Sequence, residues 1–257
     1  MSDNTILELQ NVSLTFGGLK AVSDVNFNMK DNEILSLIGP NGAGKTSTFN
    51  LITGVYTATS GAILYKGKNL KKYKPHQITN LGIARTFQNI RLFKQLTVLE
   101  NIILAMDHRR KINFFASLLP FGAGKKEFEN TREQALKYLE YANLAEYKDQ
   151  RAENLSYGKQ RELEICRAIA TGADLLLLDE PAAGLNPSET AGLMDIIRNI
   201  KNNLNKAIFL IEHDMKLVMG ISDRIVVLDY GQKIAEGTPE EIRNNPAVIK
   251  AYLGKGE

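Results

Sequence analysis

Hydrophobic residues in this chain gather into short unbroken runs, each ending at a polar or glycine-bearing turn. The clearest are EILSLIGPNG (Glu33–Gly42), DLLLLDEP (Asp174–Pro181), AIFLIEHD (Ala207–Asp214) and RIVVLDYG (Arg224–Gly231). A run without polar alternation suits a strand buried on both faces, as in a parallel sheet. Helix-like stretches separate the runs, which predicts α/β winding. The front of the chain differs. ILELQNVSLTF and AVSDVNFNM alternate apolar and polar positions and predict an antiparallel, half-exposed sheet. Between Thr97 and Arg151 the period changes again. TVLENIILAM and EFENTREQALKYLEYANLAEY read as helices joined by HRRKINFFASLLPFGAGKK, a helical subdomain inserted into the α/β core. The tail, TPEEIRNNPAVIKAYLG, opens with a capping threonine and a proline and predicts a short helical extension.

Bulk properties narrow the class. At 257 residues the chain can bury one large core with a subdomain. A charged fraction of 24% and a hydrophobic fraction of 44% read as globular. The net charge of +3 gives no reason to expect a nucleic-acid partner. The single cysteine, Cys166, excludes an internal disulfide and fits a reducing compartment. MSDNTILELQ has neither the basic start nor the apolar run of a signal peptide. The aliphatic run Leu175–Leu178 is far shorter than the ~20 residues that span a bilayer. The expectation is a soluble subunit.

GPNGAGKT fills Gly39–Thr46, between the strand Ile34–Ile38 and a predicted helix. Gly39, Pro40, Asn41, Gly42, Ala43, Gly44, Lys45 and Thr46 match the phosphate-binding P-loop in full and in the required context; Ser47 continues the ATP-binding set. Backbone N–H groups of such a loop wrap phosphate oxygens, and the helix N-terminus adds positive potential. Lys45 is expected at the β- and γ-phosphates and Thr46 on Mg²⁺. Asp179 ends the run LLLLDE and is placed to hold Mg²⁺ through water; Glu180 follows as candidate general base. These features predict an α/β P-loop NTPase core with an N-terminal antiparallel β-subdomain and an inserted α-helical subdomain. A second stretch, ENLSYGKQRELEICRAIA, opens another helix, with Ser156 as its N-cap and Gly158 just inside. Glycine there suggests that a backbone or ligand comes close.

These motifs, in this order, resemble the nucleotide-binding subunits of ABC transporters. The markers are Gly39–Thr46, TFQ ending at Gln88, LSYGKQ at Leu155–Gln160, LLLLDEP ending at Pro181, and IEH ending at His213. The resemblance covers nearly the whole chain. It implies one ABC ATP-binding domain over residues 1–257: a RecA-like core with β-subdomain at 1–87 and 166–237, a helical subdomain at 88–165, and a helical extension at 238–257. It further implies that two such domains stack head to tail around ATP, the P-loop of one facing the signature helix of the other. Leu155, Ser156, Tyr157, Gly158 and Lys159 would then grip the γ-phosphate bound to a partner subunit, which answers why a second anion-binding helix start is present. By position, Phe16 resembles the residue that stacks on adenine. Gln88 resembles the one that senses Mg²⁺ and the attacking water, and opens the segment facing the membrane subunit. His213 resembles the switch histidine, and Asn186 stands in the dimer loop where the family commonly has aspartate. Tyr157 and Lys159 depart from the usual LSGGQ. His76 and His108 have no such context and read as surface residues.

RTFQNIRLFKQLTVLENI, NLSYGKQRELEI, LDEPAAGLNPSET and the stretch from Ile211 to Gly254 resemble, more narrowly, the ATP-binding proteins of importers for leucine, isoleucine and valine. Urea and short-amide importers use similar ATPases and stand as the alternative. The resemblance implies a second ATPase subunit, identical or related, two transmembrane permeases, indirectly an extracytoplasmic binding protein, and a place on the cytoplasmic face of the membrane. Glu180 would activate water while Lys45 and Mg²⁺ neutralise charge and His213 holds the γ-phosphate. Two stretches have open readings. YKGKNLKKYKPH (Tyr65–His76) is a solvated loop or faces lipid headgroups; FFASLLPF (Phe114–Phe121) is subdomain core or packs on a permease. The rivals are a P-loop phosphotransferase, which has no need of LSYGKQ, and a non-transport ABC protein, which usually carries two cassettes or long coiled coils.

Overall fold

The computed structural model describes residues 4–107 and 123–253. His108 and Phe114–Phe121 lie outside the described residues. Two sheets form the frame. β1 (Thr5–Phe16), β2 (Leu19–Lys30), β4 (Ser60–Tyr65) and β5 (Lys68–Asn69) make an antiparallel sheet in the order β2-β1-β4-β5. The second sheet adds β3 (Ile34–Ile38), β6 (Ile83–Arg85), β7 (Leu175–Asp179), β8 (Ala207–Ile211), β9 (Arg224–Asp229) and β10 (Gln232–Gly237), ordered β10-β9-β3-β8-β7-β6. It is parallel except at β10, which runs antiparallel to β9.

The unbroken apolar runs sit where both faces are covered. Every residue of β3, β7 and β8 is buried. Alternate side chains divide between two cores, since successive Cβ atoms point to opposite faces. Leu175, Leu177, Phe209 and Ile211 pack toward the antiparallel sheet and the helix α1 (Lys45–Ile52). Leu176, Leu178, Ile208 and Leu210 pack toward α5 (Tyr157–Ala170), α6 (Pro187–Leu204) and α7 (Met215–Ile221). Two further helices cover the opposite end of the sheet: Ile242 of α8 (Pro239–Arg243) and Val248 of α9 (Pro246–Leu253) bury against Ile38, Ile225 and Val227. Thr238 and Glu241 close a reciprocal cap at the start of α8, as the threonine–proline pattern predicts.

The helical region has its own core. Val98, Leu99 and Ile102 of α3 (Val98–Asp107) meet Ala135 and Leu139 of α4 (Ala123–Tyr141), together with Leu163, Cys166 and Ala170 of α5. Ile165, Ala168 and Ile169 of the same α5 belong to the sheet's core. The seam drawn at 165/166 therefore falls inside one continuous helix that packs in both directions. α2 (Pro75–Leu81) carries His76, which is exposed. No described helix is long and apolar enough to cross a membrane.

Phe209 joins the aromatic centre of the first core, its ring centroid 5.0 Å from Phe49 and 5.6 Å from Phe27. Phe209→Ala should cost about 3–5 kcal/mol of stability, read by urea unfolding; a loss under about 1 kcal/mol would contradict this packing.

Candidate active site

The loop from β3 to α1 is shaped by glycines that no other residue can replace. A Cβ on Gly39 (φ +151°) would lie 2.1 Å from the Leu228 carbonyl oxygen, and one on Gly44 (φ +98°) 2.5 Å from that of Ala21. The loop is thus pressed against β9 and β2. Backbone N–H groups of Gly42, Gly44, Lys45 and Thr46 have no acceptor among the described residues. Together with the start of α1 they form an anion cradle. Lys45 Nζ donates to the carbonyls of Gly39 at 2.7 Å and Pro40 at 3.0 Å. Burial lowers the Lys45 pKa, and the negative charge of Glu180 opposes that shift. Ala43 is buried, whereas Asn41 and Thr46 are exposed and Ser47 is half-buried.

Three strand ends converge on Glu180. It follows β7 in a left-handed conformation (φ +49°), a strain of roughly 1–2 kcal/mol for a non-glycine residue. Its N–H donates to the Ile211 carbonyl at 2.9 Å. Gln88, after β6, donates from Nε2 to Glu180 Oε2 at 2.9 Å. His213, after β8, places Nε2 2.8 Å from Glu180 Oε1, an arrangement that suits the tautomer protonated on Nε2. Carboxyl ends of parallel strands are where open α/β sheets bind ligands.

Asp179 lies beside them but is partly committed. Its Oδ2 pairs with Arg85 Nη2 at 2.7 Å, and Arg85 Nη1 donates to Asn50 Oδ1 at 2.7 Å. No cluster of three or more His, Cys, Asp or Glu side chains that could hold a metal occurs among the described residues. Oxygen donors remain: Thr46 Oγ1, Gln88 Oε1, and Asp179 Oδ1. One carboxylate with neutral oxygens fits Mg²⁺ that is otherwise bound by phosphate and water.

The signature stretch stands on α5. Ser156 Oγ accepts the Lys159 N–H at 3.3 Å as the N-cap, and Leu155 is buried. Lys159 does not offer a free charge: Nζ pairs with Glu162 Oε2 at 2.8 Å. A Cβ on Gly158 would lie 2.6 Å from Glu189 Oε1, so the Glu189 side chain would have to shift to admit one. Tyr157 bridges two loops. Its hydroxyl donates to the Ala183 carbonyl and accepts from Arg161 Nη2, both at 3.2 Å. Arg161 is fully buried and also donates to the carbonyls of Phe87 at 2.9 Å and Gln88 at 2.8 Å and to Glu164 at 2.8 Å. Asn186 caps α6, its Oδ1 accepting from Ser188 and Glu189 at 2.9 and 3.0 Å, a task asparagine and aspartate share. Phe16 stands 45% exposed, edge-on to Tyr56 at 5.1 Å between centroids, so its ring is available for stacking. No motif marks Arg85 or Arg161; in the sequence they stand only as a basic residue at the end of β6 and another inside the signature helix.

A family model described as "ABC transporter" matches residues 22–183, which include the cradle, Gln88, the signature and Glu180. The chain belongs to the ABC transporter ATP-binding cassette family. A second family model, described as "Branched-chain amino acid ATP-binding cassette transporter", matches residues 232–257 of this cassette. The protein named high-affinity branched-chain amino acid transport ATP-binding protein LivG, from Salmonella typhimurium, is 48% identical over 250 residues, covering 97% of this chain and 98% of its own. Among solved structures, the ADP conformation of the ABC transporter cassette MJ1267 superimposes with a TM-score of 0.83 at 31% identity, over 97% of this cassette and 99% of that chain. The dimeric bacterial ABC transporter cassette MJ0796 gives 0.76 at 25% identity, over 91% and 99%.

Within this cassette, Arg161→Met should lower stability by about 3–5 kcal/mol, because buried Glu164 loses its ion-pair partner and keeps the Arg91 N–H on its other oxygen. Denaturant unfolding reads the change; a loss below about 1 kcal/mol would show that Arg161 is not the tie between α5 and the Gln88 loop.

Proposed function

We propose that the chain is the ATP-hydrolysing subunit of an ABC importer and powers uptake of leucine, isoleucine and valine through partner permeases. The observation that carries the ATPase reading is the convergence of Gln88 and His213 on Glu180, close enough to Lys45 for their charges to interact. The branched-chain assignment is supported by the match at residues 232–257 and by the full-length similarity to LivG.

ATP enters with its adenine on Phe16 and its phosphates along Gly39–Ser47. The free N–H groups of Gly42, Gly44, Lys45 and Thr46 take phosphate oxygens. Lys45 Nζ exchanges the carbonyls of Gly39 and Pro40 for the β- and γ-phosphates. Thr46, Gln88 and, through water, Asp179 would hold Mg²⁺, which supplies charge neutralisation on the phosphates. Glu180 takes the proton of the attacking water, Gln88 aligns that water, and His213 holds the γ-phosphate.

Leu155–Lys159 complete the site on a partner cassette. Ser156 is exposed at the start of α5, and no hydrogen bond or ion pair links Leu155–Lys159 to Gly39–Ser47 among the described residues. A second cassette, identical or related, brings the two together, and Asn186 lies at their junction. The permeases dock at a groove of about 660 Å³ between the sheet core and the helical region, lined by Arg85, Phe87, Arg91, Phe93, Ala105 and Arg167. Phe87 lies next to Gln88, so movement of a permease element in this groove reaches the water-aligning side chain. On this reading the cassette works at the cytoplasmic face of the membrane, against the permeases.

Glu180→Gln should retain ATP in filter binding and lose about 10²–10⁴-fold in hydrolysis rate. Near-normal turnover would contradict the role given to Glu180. Chelation of Mg²⁺ should stop hydrolysis by the unaltered cassette. In proteoliposomes carrying the permeases and binding protein, leucine, isoleucine or valine should stimulate hydrolysis; stimulation by urea alone would overturn the substrate assignment.

A further inference from the structure

Glu212 stands between the last residue of β8 and His213, at 4% exposure. No lysine, arginine or histidine side chain pairs with it among the described residues. Its carboxylate instead accepts three backbone N–H groups: Oε1 from Ala182 at 2.7 Å, and Oε2 from His213 at 2.7 Å and Asp214 at 3.2 Å. Ala182 lies two residues beyond Glu180 on the loop after β7. The Glu180 N–H is held by the Ile211 carbonyl at 2.9 Å. Two successive residues of one strand end, Ile211 and Glu212, thus grip Glu180 and Ala182 on the neighbouring loop. The side chains carried by the two loops, His213 and Glu180, meet at 2.8 Å.

We infer that Glu212 is a positioning residue for ATP hydrolysis, an anionic staple that sets the loop bearing Glu180 against the loop bearing His213. The inference rests on the ATPase reading above. The chemistry of the staple explains why it is a carboxylate. Both oxygens face N–H donors, and an ionised carboxylate is acceptor-only, whereas an amide of the same shape turns an NH₂ group toward one of them. Bonds from backbone N–H to a buried anion are short and strong, and orphaning the donors is costly. The link to Ala182 is the one that crosses between strands; those to His213 and Asp214 are local.

Two substitutions separate these parts. Glu212→Gln keeps the volume and mismatches one donor. Glu212→Asp keeps the charge and the local bonds but is too short to reach Ala182. Both should lower kcat by about 10- to 100-fold, the scale of a displaced catalytic group, with KM for ATP within about twofold. A further comparison excludes a merely structural effect. Against His213→Ala, adding Glu212→Gln should lower kcat by less than about twofold, because residues acting through one another are not additive. Wild-type kcat in Glu212→Asp would overturn the inference, as would full additivity with His213→Ala. If Glu212→Gln does not fold, Glu212→Asp with its own His213→Ala cycle decides. An inactive Glu180→Gln beside a fully active Glu212→Asp would sink the staple alone; an active Glu180→Gln would sink the ATPase reading beneath it.

Discussion

The register of the parallel strands governs everything else in this molecule. Asp179 of β7 lies opposite Ile211 of β8, so Glu180 and Glu212 leave the sheet side by side. β6 pairs with β7 on the other flank and ends at Arg85, beside Asp179. A slip of one residue would invert every side chain in a strand. It would expose Leu176 and Leu178 to the wrong core and carry Glu180 away from Gln88 and His213. The apolar interior and the polar cluster are therefore one constraint, expressed at the middle and at the end of the same strands.

The signature helix transmits that constraint to the helical region. α5 buries one set of residues in each core, and its fully buried Arg161 holds the consecutive backbone carbonyls of Phe87 and Gln88. Tyr157 extends the contact to Ala183, three residues past Glu180. Tyr157 replaces the first glycine of the usual signature, and the hydroxyl bridge is what that replacement adds. A permease element in the groove by Phe87 would thus press on a ring of hydrogen bonds that joins the Gln88 loop, α5 and the loop after Glu180.

Much of this was legible in the chain. The continuous runs Ile34–Ile38, Leu175–Asp179 and Ala207–Ile211 announced a parallel sheet because burial on both faces removes polar alternation. The cradle was legible because phosphate wrapping demands glycines and a lysine at fixed spacing. The roles of Arg85, Arg161 and Glu212 were not. Each is a lone charged residue in an apolar or helical context, and its partners lie far away in sequence: Asp179 for Arg85, the Phe87 carbonyl for Arg161, the Ala182 N–H for Glu212. Lys159 brings a charge where the usual signature has glutamine, but Glu162 one turn on neutralises it. Local pattern marks the elements; the polar ties between loops appear only once the strands are in register.

The central claim is that each ATP is clasped by the cradle of one cassette and the signature of another. Cysteines introduced as Ser47→Cys and Ser156→Cys test it most directly, in Glu180→Gln with any partner cassette present. The native Cys166 does not interfere, since it is wholly buried and burial pushes its thiol pKa far up. Oxidation should link two chains when MgATP is added and not when nucleotide is omitted. Failure to form an interchain disulfide with MgATP present would contradict the account.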